Sequence, residues 1–336
     1  MFFGWLIMRN GQLGLSLGSG AARAFAHIGI IQQLEAMNIK PDVISGCSLG
    51  AFIGCVYITG KLAEFTDWLL QLKLKDALAF ADVSINSGGV VMGERLNQFF
   101  FELFGDTRIE SLPVPFATIA TDLTTGKEVW FKNGLIVHAL RASMSLPGLI
   151  APYNYQGKWL IDGGIVNPVP VSICRALGAD VVIGVNLNGD VVGKHFTSVP
   201  PKPFKLQLES KNNHEDLSKP FSTRIKKTVK SSLSTMFSQL SDSKSKSPGI
   251  FDVLAGTINI MQDKITRSRM AMDSPEILLE PQLSQVGLLE YYRASETIKQ
   301  GEQCVKQSEK IIQKYMNRLN DPSFNHSSQQ LKDEII

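Results

Sequence analysis

Three short stretches of this chain carry residues whose types and spacing suit acyl-transfer chemistry. Gly46-Cys47-Ser48-Leu49-Gly50 is a G-x-S-x-G sequence set between a short apolar run, Asp42-Val43-Ile44-Ser45, and a longer one, Ala51 to Ile58. A serine on a sharp strand-to-helix turn, flanked by residues too small to clash, projects its hydroxyl from the end of a sheet, which makes Ser48 a candidate nucleophile. Upstream, Gly18-Ser19-Gly20-Ala21-Ala22-Arg23 follows the apolar run Leu13 to Leu17. A loop of small residues opening a helix leaves backbone N–H groups without partners where the helix dipole favours negative charge, and an oxyanion needs such donors. Downstream, Asp162-Gly163-Gly164 follows Trp159-Leu160-Ile161 and precedes Val166-Asn167-Pro168-Val169-Pro170. An aspartate at a strand end, with glycines freeing the backbone beside it, can reach a serine hydroxyl and act as its base.

Serine chemistry more often uses histidine, and the chain has five. His27 and His138 fall inside apolar helical patterns and read as packed residues, whereas His195, His214 and His326 fall in polar stretches. None stands at a strand end followed by a loop, so a Ser–Asp dyad fits better than a triad. The glycine loop does not suit a dinucleotide: in G-x-G-x-x-G register Arg23 occupies the third glycine position, and no Gly-Lys-Ser/Thr ending follows. Cys47, Cys55, Cys174 and Cys304 are scattered without C-x-x-C spacing, which argues against a zinc site and a disulfide framework and suits a reducing, cytoplasmic setting.

The elements that must position these groups alternate between strand and helix to about Asn186. Leu13–Leu17, Val43–Ser45, Phe116–Ala120, Lys158–Ile161 and Val181–Val185 read as strands of a mostly parallel sheet covered on both faces, with catalytic residues gathered at strand C-terminal ends. Residues 249–272 read as one helix, Glu276–Leu279 as a short strand, and Leu288–Leu319 as one long final helix. The uncharged run from Val43 to Gly60 has the length of a membrane span, but it contains the strand and the nucleophile turn and reads as core.

Taken in order, the glycine-rich loop with Arg23, the Gly46-to-Gly50 motif and Asp162-Gly163-Gly164 resemble the patatin-like phospholipase family. Ala26-His27-Ile28-Gly29-Ile30 and the segment Arg141 to Gly148 are similar to its bacterial branch related to neuropathy target esterase. The likeness runs from Leu13 to Leu187 and continues more weakly from Gly249 to about Leu319. It implies a patatin-like three-layer α/β fold and a lipid acyl hydrolase of phospholipase A or lysophospholipase type, working without metal or cofactor. By position, Ser48 matches the family nucleophile and Asp162 the dyad base, the amides of Gly18, Ser19, Gly20 and Ala21 match the oxyanion hole, and Arg23, Gly46, Gly50, Gly163 and Gly164 complete the motifs. Ser19, Ala21 and Ala24 stand where the family often has glycine, which narrows the backbone angles open to the loop and distorts it if one of them needs positive φ.

The expected domain organisation is an apolar extension over residues 1–12, a catalytic domain over 13–320 interrupted by a basic Ser/Lys-rich insertion at about 190–248, and a polar tail over 321–336. The extension lacks the basic leader and the length of a secretory signal. Within the insertion, Phe221, Ile225, Val229, Leu233, Phe237 and Leu240 recur at helical spacing among Arg224, Lys226, Lys227 and Lys230. Such a helix either packs its apolar stripe on the sheet or lies on an anionic membrane surface. Lys and Arg number 34 against 31 Asp and Glu, and this small excess, without aromatic-interleaved basic patches, gives no nucleic-acid signature. The family resemblance implies a phospholipid or lysophospholipid substrate, and the basic amphipathic stretch suits peripheral contact with an anionic membrane. An acyltransferase using the same dyad, or a weakly active lipid-binding regulatory module, remain the alternatives at the level of sequence, which leaves the oligomeric state open.

Overall fold

The computed structural model describes residues 11–71, 93–190 and 250–321. The apolar extension before residue 11, the basic segment 191–249 and the tail from 322 lie outside the described residues.

Strand β1 (Leu13–Leu17) is buried at every position and pairs in parallel with both β2 (Val43–Cys47) and β7 (Val181–Val185). β2 pairs in parallel with β3 (Phe116–Asp122), and β7 with β8 (Ile277–Leu279). These strands combine Val, Ile, Leu and Phe with small residues and carry no charge before Asp122, which is what strands covered on both faces require. Antiparallel strands complete one side: β4 (Glu128–Phe131) and β6 (Lys158–Asp162) both pair with β3, and β5 (Tyr153–Tyr155) pairs with β6. The result is a mostly parallel α/β sheet of eight strands.

Side chains on alternate positions feed the two opposite faces of the sheet. Leu15, Ile44 and Ile183 pack with helices α1 (Ala26–Ala36) and α2 (Leu49–Ile58), while Val43 and Val182 pack with α6 (Val171–Ala176). The first core also takes in α3 (Leu62–Gln71), α4 (Glu94–Phe104) and α5 (Ile136–Ser143). Each fully buried Leu or Ile is worth roughly 1.5–3 kcal/mol against exposure, so the two faces together anchor the sheet firmly.

The register along β3 positions the site. Gly46 and Cys47 pair with Thr118 and Ile119, while Asp162 pairs with Ala120. Thr118 and Ala120 also pair with Phe131 and Val129 of β4, so β4 takes one edge of β3 and leaves the other to β2 and β6. Because β2 runs parallel to β3 and β6 antiparallel, their C-terminal ends meet end to end.

All five strands expected from the apolar runs are present, with β2, β3 and β6 one or two residues longer at their C-terminal ends. The run from Val43 to Gly60 divides into β2, the turn and the buried helix α2. Among the described residues no helix is long and apolar enough to cross a membrane. Helix α7 spans Ile250–Met272, close to expectation. The final segment departs from the single helix read over Leu288–Leu319. It is a 3-10 turn at Tyr291–Arg293 followed by two helices, α8 (Ala294–Gln307) and α9 (Glu309–Asn320). Leu288 is held out of the helix because its carbonyl accepts the N–H of Ala22, and Ser308 breaks the remainder with its N–H shared between the carbonyls of Cys304 and Val305.

Candidate active site

Ser48 occupies the single residue between β2 and α2, with φ 56° and ψ −129°. That is strained backbone for a side chain with a Cβ, and it persists only where the surroundings over-determine it. Both motif glycines do so by close approach. A Cβ on Gly46 would lie 2.4 Å from the Ala51 Cα, and one on Gly50 would lie 2.4 Å from the Leu17 carbonyl oxygen and 2.5 Å from that of Gly18. No side chain larger than hydrogen fits either place, so the helix start packs directly on the end of β1.

A short polar relay fixes the turn from β3 and α5. The Ser48 N–H donates to Ser143 Oγ at 2.9 Å, and Ser143 Oγ lies 3.0 Å from Thr118 Oγ1, which donates to the Gly46 carbonyl at 2.9 Å. With one proton per hydroxyl, Ser143 donates to Thr118 and Thr118 to the carbonyl, and every group in the chain is satisfied.

Asp162 ends β6 and is 1 % exposed. Its Oδ2 accepts from Ser48 Oγ at 2.5 Å, and its Oδ1 accepts from the Gly164 N–H at 2.7 Å. Its own N–H donates to the Ser145 carbonyl at 2.9 Å and its carbonyl accepts from Thr121 Oγ1 at 2.9 Å. Burial pushes the carboxyl up to about 6, against the pull of the Ser48 and Gly164 hydrogen bonds, which favour the anion. A carboxylate so raised is a stronger base than one in water while remaining mostly ionised at neutral pH. Next to it the Cys47 thiol is fully buried and pushed well above its ordinary value, chiefly by desolvation and then by the Asp162 charge, so it stays protonated and is a poor nucleophile.

The four loop amides are not alike. Gly18 N–H donates to the Val185 carbonyl at 3.2 Å and Ser19 N–H to that of Pro168 at 2.8 Å, so both are committed to the scaffold. The amides of Gly20 and Ala21 have no acceptor among the described residues, and they stand at the start of the 3-10 turn Ala21–Phe25 that leads into α1. Ala21 has φ 48°, the left-handed region where glycine would be unstrained. The alanine there therefore carries a conformational cost where the sequence raised the question.

His27 is fully buried on α1 with Nε2 2.8 Å from the Gly18 carbonyl, and His138, on α5, has Nδ1 2.6 Å from the Tyr153 hydroxyl. Neither bonds to Ser48 or Asp162. His195, His214 and His326 lie outside the described residues. Among the described residues no group of three or more His, Cys, Asp or Glu is placed to hold a metal ion. Ser143, Thr118 and Ser145 support the site without belonging to its motifs; Ser143 and Ser145 fall in the segment Arg141 to Gly148 that resembles the family, whereas Thr118 carries no local signal.

The model of the patatin-like phospholipase family matches residues 15–175, a span that holds Ser48, Asp162 and the glycine loop. An uncharacterized NTE family protein of Mycobacterium bovis is 33% identical over 327 residues, covering 88% of this chain and 91% of that one. The chain belongs to the patatin-like phospholipase family, in its NTE branch. A Mycobacterium tuberculosis NTE family protein matches with the same identity and coverage. The lysophospholipase nte1 of Aspergillus fumigatus is 33% identical over 184 residues, which is 52% of this chain and 12% of that protein. Patatin-like phospholipases are lipid acyl hydrolases, and this chain is an enzyme of that class.

Proposed function

We propose that the enzyme hydrolyses acyl esters of phospholipids or lysophospholipids through an acyl-enzyme on Ser48, with Asp162 as the base. The observation that carries this reading is the 2.5 Å contact between Ser48 Oγ and the buried Asp162 Oδ2 at the C-terminal end of the sheet. Asp162 Oδ2 takes the hydroxyl proton as Oγ attacks the ester carbonyl. The N–H groups of Gly20 and Ala21 receive the oxyanion. Collapse of the tetrahedral intermediate breaks the C–O bond to the alcohol, which leaves with the proton held on Asp162. Water then attacks the acyl-serine and gives its proton to Asp162. The second collapse releases the fatty acid, and the proton returns to Ser48.

The test is labelling of the purified protein with a fluorophosphonate, beside Ser48→Ala and Asp162→Asn, while fatty-acid release from a lysophospholipid is followed. Loss of labelling and of release in both variants is the expected result. Ester hydrolysis by folded Ser48→Ala protein at the parent rate overturns the assignment.

A further inference from the structure

The glycine loop is held from behind by side chains. Its three consecutive carbonyls at Gly18, Ser19 and Gly20 accept from His27 Nε2–H at 2.8 Å, Asn188 Nδ2–H at 3.4 Å and Arg23 Nε–H at 3.4 Å. A trans peptide is planar, so its C=O and the N–H of the following residue point in opposite directions. Whatever holds the Ser19 carbonyl therefore aims the N–H of Gly20, and whatever holds the Gly20 carbonyl aims that of Ala21. Arg23 and His27 come from the turn and helix that the loop itself opens. Asn188 comes from the far side, just beyond β7.

Asn188 is 1 % exposed, and since a carbonyl only accepts, its amide nitrogen faces Ser19. The second hydrogen of that nitrogen goes to Gln262 Oε1 on α7 at 3.0 Å. Gln262 is 4 % exposed and faces the other half of the site with its nitrogen. A Cβ built on Gly164 would lie 2.5 Å from Gln262 Nε2, 3.0 Å from Asp162 Oδ1 and 3.0 Å from Ser19 Oγ. One turn earlier on the same face of α7, Asn259 Oδ1 accepts from Arg23 Nη2 at 2.6 Å. Two neighbouring peptides of the loop are thus tied, through Asn188 and Arg23, to one face of one helix. Asn188, Asn259 and Gln262 all lie beyond the 15–175 span of the family match.

We propose that Asn188, anchored by Gln262, is a positioning residue for the oxyanion site: it fixes the direction of the Gly20 N–H, and Gln262 keeps that donor in register with the Asp162-Gly163-Gly164 turn. The inference rests on the acyl-enzyme reading above, in which Gly20 N–H meets developing charge. An amide turned away from the oxyanion loses transition-state stabilisation without losing the substrate's other contacts.

The experiment compares an activated acyl ester with its thionoester on the full-length enzyme, because sulfur is a poor acceptor and gains little from an oxyanion hole. In Asn188→Leu the ester kcat is expected to fall about 10–100-fold, with KM within about threefold and the thionoester rate nearly unchanged, so that the ester-to-thionoester ratio collapses. Asn188→Ala, which adds no bulk, gives the same reading should the leucine fail to fold, and melting curves establish that each variant is native. Folded Asn188 variants with unchanged ester kcat, or with both rates lowered in parallel, overturn the inference and leave the dyad standing. Ester turnover by Ser48→Ala at the parent rate instead overturns the dyad, and this inference with it.

Discussion

Ser48 and Asp162 meet because the strands that carry them end against each other: Cys47 pairs with Ile119 and Asp162 with Ala120, consecutive residues of β3. Two polar groups 114 residues apart in sequence are brought to 2.5 Å by backbone register, with side chains merely completing the contact. A slip of one residue in the β6 pairing would turn the carboxylate to the opposite face of the sheet, and a slip in the β2 pairing would displace Ser48 instead.

The pH profile follows from the buried carboxyl. As the proposed base Asp162 works only when ionised, and its carboxyl is pushed up to about 6. The value of kcat/KM is expected to be flat above about pH 7 and to fall tenfold per unit below about pH 6. Rates measured from pH 4.5 to 8.5 on a neutral ester check this, and a profile flat down to pH 5 removes Asp162 as the base.

Stability responds with the opposite sign. A folded-state value raised above the ordinary one means that the native protein binds the proton more tightly than the unfolded chain, so this carboxyl's favourable contribution is present at low pH and is lost as pH rises through about 6. Asp162→Asn keeps an oxygen for the Gly164 N–H while removing the buried charge. At pH 7.5 that variant is expected to be inactive yet more stable by about 1–3 kcal/mol, the gain shrinking toward zero below about pH 4. Urea unfolding at the two pH values measures it.

Removing the acceptor behind Ser48 tests the relay. In Ser143→Ala the Ser48 N–H and Thr118 Oγ1 both lose a partner in a buried setting. A loss of about 1–3 kcal/mol in stability is expected, together with a fall in kcat larger than any change in KM, because the strained turn at Ser48 relaxes. Equal kcat in the variant would mean that the two motif glycines hold the turn unaided.

Helices α1 and α8 cross at two glycines with almost no space between backbones. A Cβ on Gly29 would lie 2.0 Å from the Ile298 carbonyl oxygen, and one on Gly301 would lie 2.0 Å from that of Ala26. Gly29→Ala or Gly301→Ala must part the helices, with an expected loss of about 1–3 kcal/mol or more. Because α1 carries His27, whose ring holds the Gly18 carbonyl, activity should fall faster than the melting temperature in any variant that still folds.

Much of this design is legible in sequence because it is local. Ser48 is announced by glycines two residues to either side, and the buried strands by short, mostly apolar runs that need no partner to be recognised. The short antiparallel strands β4 and β5, of four and three residues, carry too little pattern to be read. The division of the final helix at Ser308 was equally hidden, since Ile298, Val305, Ile312 and Met316 keep a helical spacing across the break and are all buried. The supports of the site were out of reach for a different reason. Ser143 bonds to a residue 95 positions away and Asn188 to one 169 away, and Ser, Thr and Asn in such places look like ordinary polar residues until the chain has folded. The loop was half legible: all four of its amides were read as oxyanion donors, and only the pairing of β1 with β7 and the path of Pro168 reveal that those of Gly18 and Ser19 already have acceptors.

The two oxygens of Asp162 have separate tenants, the Gly164 N–H and the Cys47 thiol on Oδ1 and Ser48 on Oδ2, and the first pair tethers the group against rotation. In the proposed cycle the proton makes its outward and return journeys through one stationary oxygen, where a histidine would offer a ring able to swing between partners. The base is a fixed post, so the traffic must come to it. A departing alcohol and an arriving water have to pass in turn through the same small volume beside Ser48. The choice between hydrolysis and transfer to another alcohol then becomes a question of queueing, decided by which hydroxyl reaches that volume first once the leaving group has cleared it.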